Sequence, residues 1–167
     1  MSETARQPDE ETKERANPAG FIYGVLAVAT VTAAERTRQE SYGKLLAAGA
    51  VALALYWLAH AYSRHWGARL TGQPHWSLRE FIDALGHESP ILAGAALPLA
   101  VLLVDWLAGV SLETGVTAVL WTAGVEVALL EVAVGLRRRL GTRDLLVQSA
   151  IGMAFGLGIL GLRVLLH

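Results

Sequence analysis

Residues 121–139, WTAGVEVALLEVAVGLRRR, hold two carboxylates inside a run otherwise suited to hydrocarbon, and end on three arginines. A charge at the centre of a membrane helix costs roughly 2.5–3.5 kcal/mol on insertion scales, so Glu126 and Glu131 need a partner, a proton or water. No basic residue follows Glu126 in its own segment before Arg137, about 16 Å away at about 1.5 Å per residue. Glu126 therefore takes a partner from another helix, lines a wet cavity, or stands as a hydrogen-bonded neutral acid. The two glutamates are five residues apart, about 140° around a helix, too far for one dyad holding a single proton within a protomer. Successive stations of a proton or ion pathway fit that angle, as do contacts to two different neighbours.

A histidine extends this set. His60, in LYWLAHAYSRHW, changes charge between about pH 5 and 8. Beside a carboxylate at its own depth it makes a proton carrier or a pH gate. Arg64 lies one turn further on, and Glu88 stands next to His87 in GHESP. His60, Arg64, Glu88 and Glu131 are expected to form one polar network on the inner half of a membrane. The plainer reading of the same residues is a set of ion pairs that fixes helix register, with His60 a core histidine beside Tyr56. Near the outer surface sit Asp105, Glu113, Glu35 and Arg163. There Arg163 is expected to pair with Asp105 or Glu113, mainly as a structural contact.

Other chemistries lack their residues. The chain has no cysteine, which excludes disulfides, thiol catalysis and thiolate metal sites. No Gly-rich phosphate cradle, Ser–His–Asp order, HExxH or metal-ligand cluster occurs in it. No basic patch is interleaved with aromatics, so nucleic acid is not an expected partner. Neither an enzyme, nor a cofactor, nor a bound metal is expected.

The elements that must position these residues follow from composition. Of 167 residues 53% are hydrophobic, mean hydropathy is +0.41, and 14 basic and 15 acidic residues leave a net charge of −1. The charges cluster in the first 17 residues and in short connectors, leaving long apolar runs nearly bare. That pattern is a multi-pass membrane protein. Residues 1–17, MSETARQPDEETKERAN, carry five acids and three bases; they read as a disordered polar tail, and without a positive n-region they do not read as a signal peptide.

The fold class expected is all-α, a polytopic membrane helix bundle spanning residues 18–167. A pass needs about 20 residues, within a range of about 17–25. Five segments qualify, at about 18–34, 43–62, 90–110, 112–136 and 145–166, the first being the shortest. Pro18 and Pro90 suit first-turn positions, whereas Pro98 inside the third pass predicts a kink. Residues 77–85, SLREFIDAL, begin with a Ser77-x-x-Glu80 capping box. Leu78, Phe81, Ile82 and Leu85 then share one face, which predicts a short interfacial amphipathic helix with Trp66 and Trp76 as anchors. A helix packed under the bundle is the alternative.

Loop charges orient the bundle. Five passes put Arg6, Lys13, Arg15, Arg64, Arg69, Arg79, Arg137, Arg138, Arg139 and Arg143 on one side, and Arg36, Arg38, Lys44 and Arg163 on the other. Ten against four predicts a cytoplasmic N-terminus and an outer C-terminus. Gly20-x-x-x-Gly24 and Gly152-x-x-x-Gly156 are expected to let helices approach closely, within the chain or between copies.

GFIYGVLAVATVTAAE (20–35), LYWLAHAYSRHWGARL (55–70), HESPILAGAALPL (87–99) and the final LLH together resemble a family of small multi-pass integral membrane proteins of high-GC Gram-positive bacteria. The resemblance covers most of the chain beyond the tail. It implies a bacterial inner membrane and no particular activity. FIYGVLAVATV is also faintly similar to the first helix of potassium channels whose motif is Phe-Ser-Asp-Gly, though Ile22-Tyr23 stand where that motif has Ser-Asp. The function expected is an ion channel or proton-linked transporter using intramembrane Glu and His; the alternative is a non-transporting scaffold or partner subunit. The expected partners are the lipid bilayer, a second copy of the chain, and a small ion or proton.

Overall fold

The computed structural model describes residues 17–34, 41–70, 77–139 and 141–166. The polar tail up to residue 16, Glu35 and Trp76 lie outside them. Six helices and no strand occur among the described residues: α1 (Pro18–Ala34), α2 (Tyr42–Leu70), α3 (Leu78–His87), α4 (Pro90–Leu107), α5 (Leu112–Arg137) and α6 (Thr142–Leu166). Three stretches among the described residues are long and apolar enough to cross a membrane: Tyr42–Gly67, Pro90–Leu107 and Leu112–Arg137. The chain is therefore an all-helical protein of membrane-spanning character.

The boundaries differ from expectation where local chemistry overrides hydropathy. α2 runs on to Leu70, past the expected end at 62, because no breaker interrupts the amphipathic segment that follows its apolar part. α4 stops at Leu107 rather than 110, closed by Gly109 in the left-handed conformation (φ 71°). Gly109 N donates to Trp106 O and Val110 N to Asp105 O, the paired bonds that satisfy a helix's last carbonyls. α4 continues through Pro98 as one helix. Ser77 stands at the N-cap of α3 with extended backbone but makes no side-chain cap bond, so the expected capping box is not formed. Ser111 instead caps α5, accepting from Thr114 N at 3.3 Å.

The shortest apolar helix occupies the middle. α1 packs against α2, α4, α5 and α6, while α2 and α4, α4 and α5, and α5 and α6 are neighbours in that order around it. Its seventeen residues (Pro18–Ala34) suit this role because none is charged and its glycines, alanines and threonines are small, so four helices can close on them. Val25, Val28, Ala29 and Ala33 join Leu45, Ile91, Ala95, Leu102, Val116, Val119, Leu120, Ala123 and Val127 in one core.

The closest approach is between α1 and α4. A Cβ on Gly24 would strike the backbone oxygen of Ile91, and one on Gly94 would strike the backbone oxygen of Phe21. The α1–α4 crossing thus leaves no room for a side chain at Gly24. At Gly20 an added Cβ would first meet the Asn17 side chain, at 2.9 Å. Gly152 lets α6 close on α5, where its added Cβ would meet Glu131 Cγ at 2.9 Å. The surroundings of Gly156 and Arg163 lie outside the described residues.

Two aromatic pairs mark the ends of the bundle. Tyr62 and Trp66 stack with ring centroids 6.4 Å apart at 18°, and Tyr42 and Trp106 stack at 6.5 Å and 11°. Tyr42 and Trp66 are 24 residues apart on α2, about 36 Å at about 1.5 Å per residue. That separation matches a hydrocarbon core of about 30 Å with an aromatic belt at each face. Tyr42 Oη donates to Ser111 O at 3.1 Å, placing the start of α5 at the Tyr42 level.

α3 packs on α2 by part of its apolar face. Ala84 is buried, Phe81 meets His65 edge-on at 6.0 Å, and Trp57 Nε1 donates to Leu85 O at 3.0 Å. Those contacts pack one side of its apolar face on α2. Leu78 and Ile82, 58% and 55% exposed, leave the other side free.

Candidate functional site: an intramembrane carboxylate in an apolar groove

The buried acids divide by what neighbouring helices offer them. Glu88, 5% exposed, follows α3 and precedes Pro90. Its Oε2 accepts from Asn17 Nδ2 at 2.9 Å, and its Oε1 lies 3.9 Å from Arg64 Nη1. Asn17 also caps α1, its Oδ1 accepting from Gly20 N at 2.9 Å. Glu88 is thus tied to α1 and α2 at once, at the Trp66 end of the bundle.

Glu131 is met from α6. Gln148 Nε2 donates to Glu131 Oε2 at 2.6 Å, and Gly152, one turn beyond Gln148, makes room for the glutamate's stem. His60 is elsewhere. Its Nδ1 is 3.1 Å from Tyr56 O, the carbonyl one turn back, and its ring lies 4.4 Å from that of Tyr56 and 5.3 Å from that of Tyr23 on α1. The expected pairing of His60 with Glu131 is not formed. Equal depth does not bring them together because their azimuths differ: His60 turns toward α1, Glu131 toward α6.

For Glu126 no such partner is found among the described residues. Its Oε2 is buried without a hydrogen bond among the described residues. It lines a groove of about 520 Å³ formed by Phe21 of α1, Leu97 of α4 and the α5 residues Trp121, Thr122, Val125, Leu129, Leu130 and Ala133. Among the described residues of that lining Glu126 is the one ionisable group, and the Thr122 hydroxyl and the Trp121 indole N–H are the other polar side-chain groups. Counting from Ser111 at the Tyr42 level, Glu126 is about 22 Å along α5, close to the middle of the span. Trp121, Val125 and Leu129 turn outward, 53–63% exposed, so the groove opens on the lipid side of the bundle.

At the Tyr42 end, Asp105 Oδ2 is likewise buried without a hydrogen bond among the described residues. Glu113 is exposed, and its backbone oxygen accepts from Thr117 Oγ1 at 2.8 Å. The expected partner Arg163 lies outside the described side chains. No group of three or more His, Cys, Asp or Glu able to hold a metal occurs among the described residues.

Asn17, Gln148, Tyr23 and Gly94 were not singled out from the sequence. Asn17 carried a signal, since asparagine before Pro18 is an N-cap followed by a first-turn proline. Gln148 carried a weaker one, as an amide in an apolar segment that also holds Glu131's neighbouring hairpin. Nothing local distinguishes Gly94 from the chain's other glycines.

No family model matches the chain, and neither the curated proteins nor the solved structures contain a match to it. The chain is an all-helical protein of membrane-spanning character in which, among the described residues, Glu126 Oε2 is buried without a hydrogen bond beside an apolar groove.

Proposed function

We propose that this is a five-pass protein of a bacterial cell membrane, with its N-terminus cytoplasmic and C-terminus outside, and that it carries protons or a small ion across the bilayer by way of Glu126. α1, at 17 residues, and α6, at 25, supply the two passes beyond the three long apolar stretches. The arginine-dense loop at 137–139 and Arg143 support the orientation, and the family resemblance supports the compartment.

Glu126 carries the reading. A buried polar atom left without a partner costs about 1–3 kcal/mol. An aliphatic residue there would pack in the groove at no such cost, so the acid has a use that stability does not supply. Glu131 and Glu88 are held by Gln148 and by Asn17 with Arg64, and in this reading they shape the scaffold around Glu126. His60, held by Tyr56 and Tyr23, adjusts the packing of α1 on α2. The test is proton flux in proteoliposomes after a pH jump. Wild-type flux abolished by Glu126→Gln supports the proposal; no flux above empty liposomes overturns it.

One observation favours a second reading, a non-transporting partner subunit. The groove faces outward, so a helix of a second copy can bring a donor to Glu126. Under that reading Glu126→Gln weakens self-association, and no flux exists to lose.

A further inference from the structure

We propose that the Glu126 groove binds a lipophilic monovalent cation, which it takes up in exchange for a proton. This names the cargo of the transport reading and rests on it for its consequence, while the site itself stands on the shape and chemistry of the groove.

At about 520 Å³ the groove has the size of pockets that hold organic molecules, about 300–1,000 Å³. Its walls are aliphatic and aromatic, with one acid among them. A hard metal ion requires about six to eight oxygen ligands, and this lining offers the oxygens of Glu126 and Thr122. An anion meets no cationic group there. A neutral apolar molecule fills the space but leaves Glu126 Oε2 uncompensated. An organic cation with a dispersed or shielded charge satisfies each feature: low hydration makes it cheap to desolvate, apolar arms fill the groove, and its charge faces the carboxylate. Phe21 and Trp121 add aromatic faces to which such a cation is attracted. Glu126 lies about 16 Å along α5 from Arg137, deeper than a lipid headgroup's ammonium reaches, so the ligand is a free cation.

The exchange balances charge. The protonated carboxyl releases one proton to water as one monovalent cation enters, and no covalent bond other than O–H changes. Among the described residues no competing charge lines the groove: α1 presents Phe21 and α4 presents Leu97. Asp105, the charged residue of α4, is eight positions beyond Leu97. Glu131 is turned to Gln148 on α6, and the charged residues of α6, Arg143, Asp144 and Arg163, lie in its terminal turns.

The experiment is calorimetric titration of the detergent-purified full chain with tetraphenylphosphonium across pH, repeated on Glu126→Gln, Glu126→Asp, Trp121→Ala and, as an exposed charge control, Glu113→Gln. Wild type is expected to bind, with affinity falling about tenfold per pH unit where the carboxyl is protonated, as one-proton competition requires. Glu126→Gln should weaken binding at least about thirtyfold, the scale of losing a buried charge partner. Glu126→Asp should bind more weakly yet keep the pH dependence, and Trp121→Ala should lose about three- to tenfold. Glu113→Gln should match wild type, and potassium should not compete. Binding that is independent of pH, or equal in Glu126→Gln, overturns the site. Glu126-dependent proton flux without tetraphenylphosphonium binding overturns the cation and leaves the transport reading standing. Cation binding without flux upholds the site and overturns transport. A Glu126-dependent dimer that excludes the cation overturns the site in favour of a second copy.

Discussion

Asn17 and Glu88, 71 residues apart in the chain, share a hydrogen bond of 2.9 Å between Nδ2 and Oε2. The same asparagine caps α1 through its Oδ1, so one side chain starts the central helix and locks it to the head of α4. Asn17→Ala removes both bonds and leaves a buried carboxylate with the distant Arg64 contact alone. We expect a loss of about 1–3 kcal/mol, read as a lower melting midpoint in detergent. Asn17→Asp keeps the cap but sets a second acid against Glu88, so it should be no more stable than Asn17→Ala; full stability in Asn17→Asp would show that the Glu88 bond contributes nothing.

Gly24 and Gly94 should behave as one unit. Alanine at either would push a backbone oxygen of the facing helix, and overpacking of this kind costs about 1–3 kcal/mol. Once one substitution has spread α1 from α4, the second meets less resistance, so the double variant should cost less than the sum. Gly43→Ala, where nothing lies within 4 Å, is the comparison expected to be neutral. Additive losses in a thermal-melt cycle would disprove the shared crossing.

Gln148 should matter through Glu131. Gln148→Ala strips the acid of its donor, and a hydrogen bond to a charged group contributes about 1.5–3 kcal/mol. In a Glu131→Gln background, where no charge is stranded, the same change should cost less. Equal costs in both backgrounds, measured by denaturant or thermal unfolding, would show that the 2.6 Å contact is incidental.

Glu126 should show the opposite pattern. Glu126→Leu removes an unpartnered oxygen from an apolar groove, so stability is expected to hold or rise, while proton flux is lost. Glu131→Leu should lose stability because it strands Gln148. A Glu126→Leu variant destabilised by as much as Glu131→Leu would make Glu126 a structural residue.

The free side of α3 should touch lipid. The natural chain has no cysteine, so single cysteines can be spin-labelled without background. Labels at Leu78 and Ile82 in liposomes should be relaxed by oxygen, which partitions into lipid, and labels at Arg79 and Asp83 by a water-soluble chromium or nickel complex. Aqueous accessibility at all four would detach α3 from the membrane surface.

What the sequence determined by itself was class, segment and depth. Hydropathy and helical rise are properties of contiguous residues, so the helices lay near their expected places, and Glu126 and Glu131 could be set on one segment about 7.5 Å apart in depth. Glu88 and Arg64 could also be set at one end of the bundle, because both lie where an apolar run gives way to polar residues. Azimuth was not legible. Which way a side chain points around its helix matters only relative to a neighbour, and hydropathy is nearly uniform around α5, so it names no neighbour. The tertiary structure alone decided that the short α1 is central, that Glu131 meets Gln148 instead of His60, and that Glu126 faces a groove. Each follows from close packing. Small residues on α1, with Gly24 and Gly94 at the crossing, let four helices close on it, and in that packing Glu131 meets α6 while Glu126 Oε2 has no hydrogen bond among the described residues.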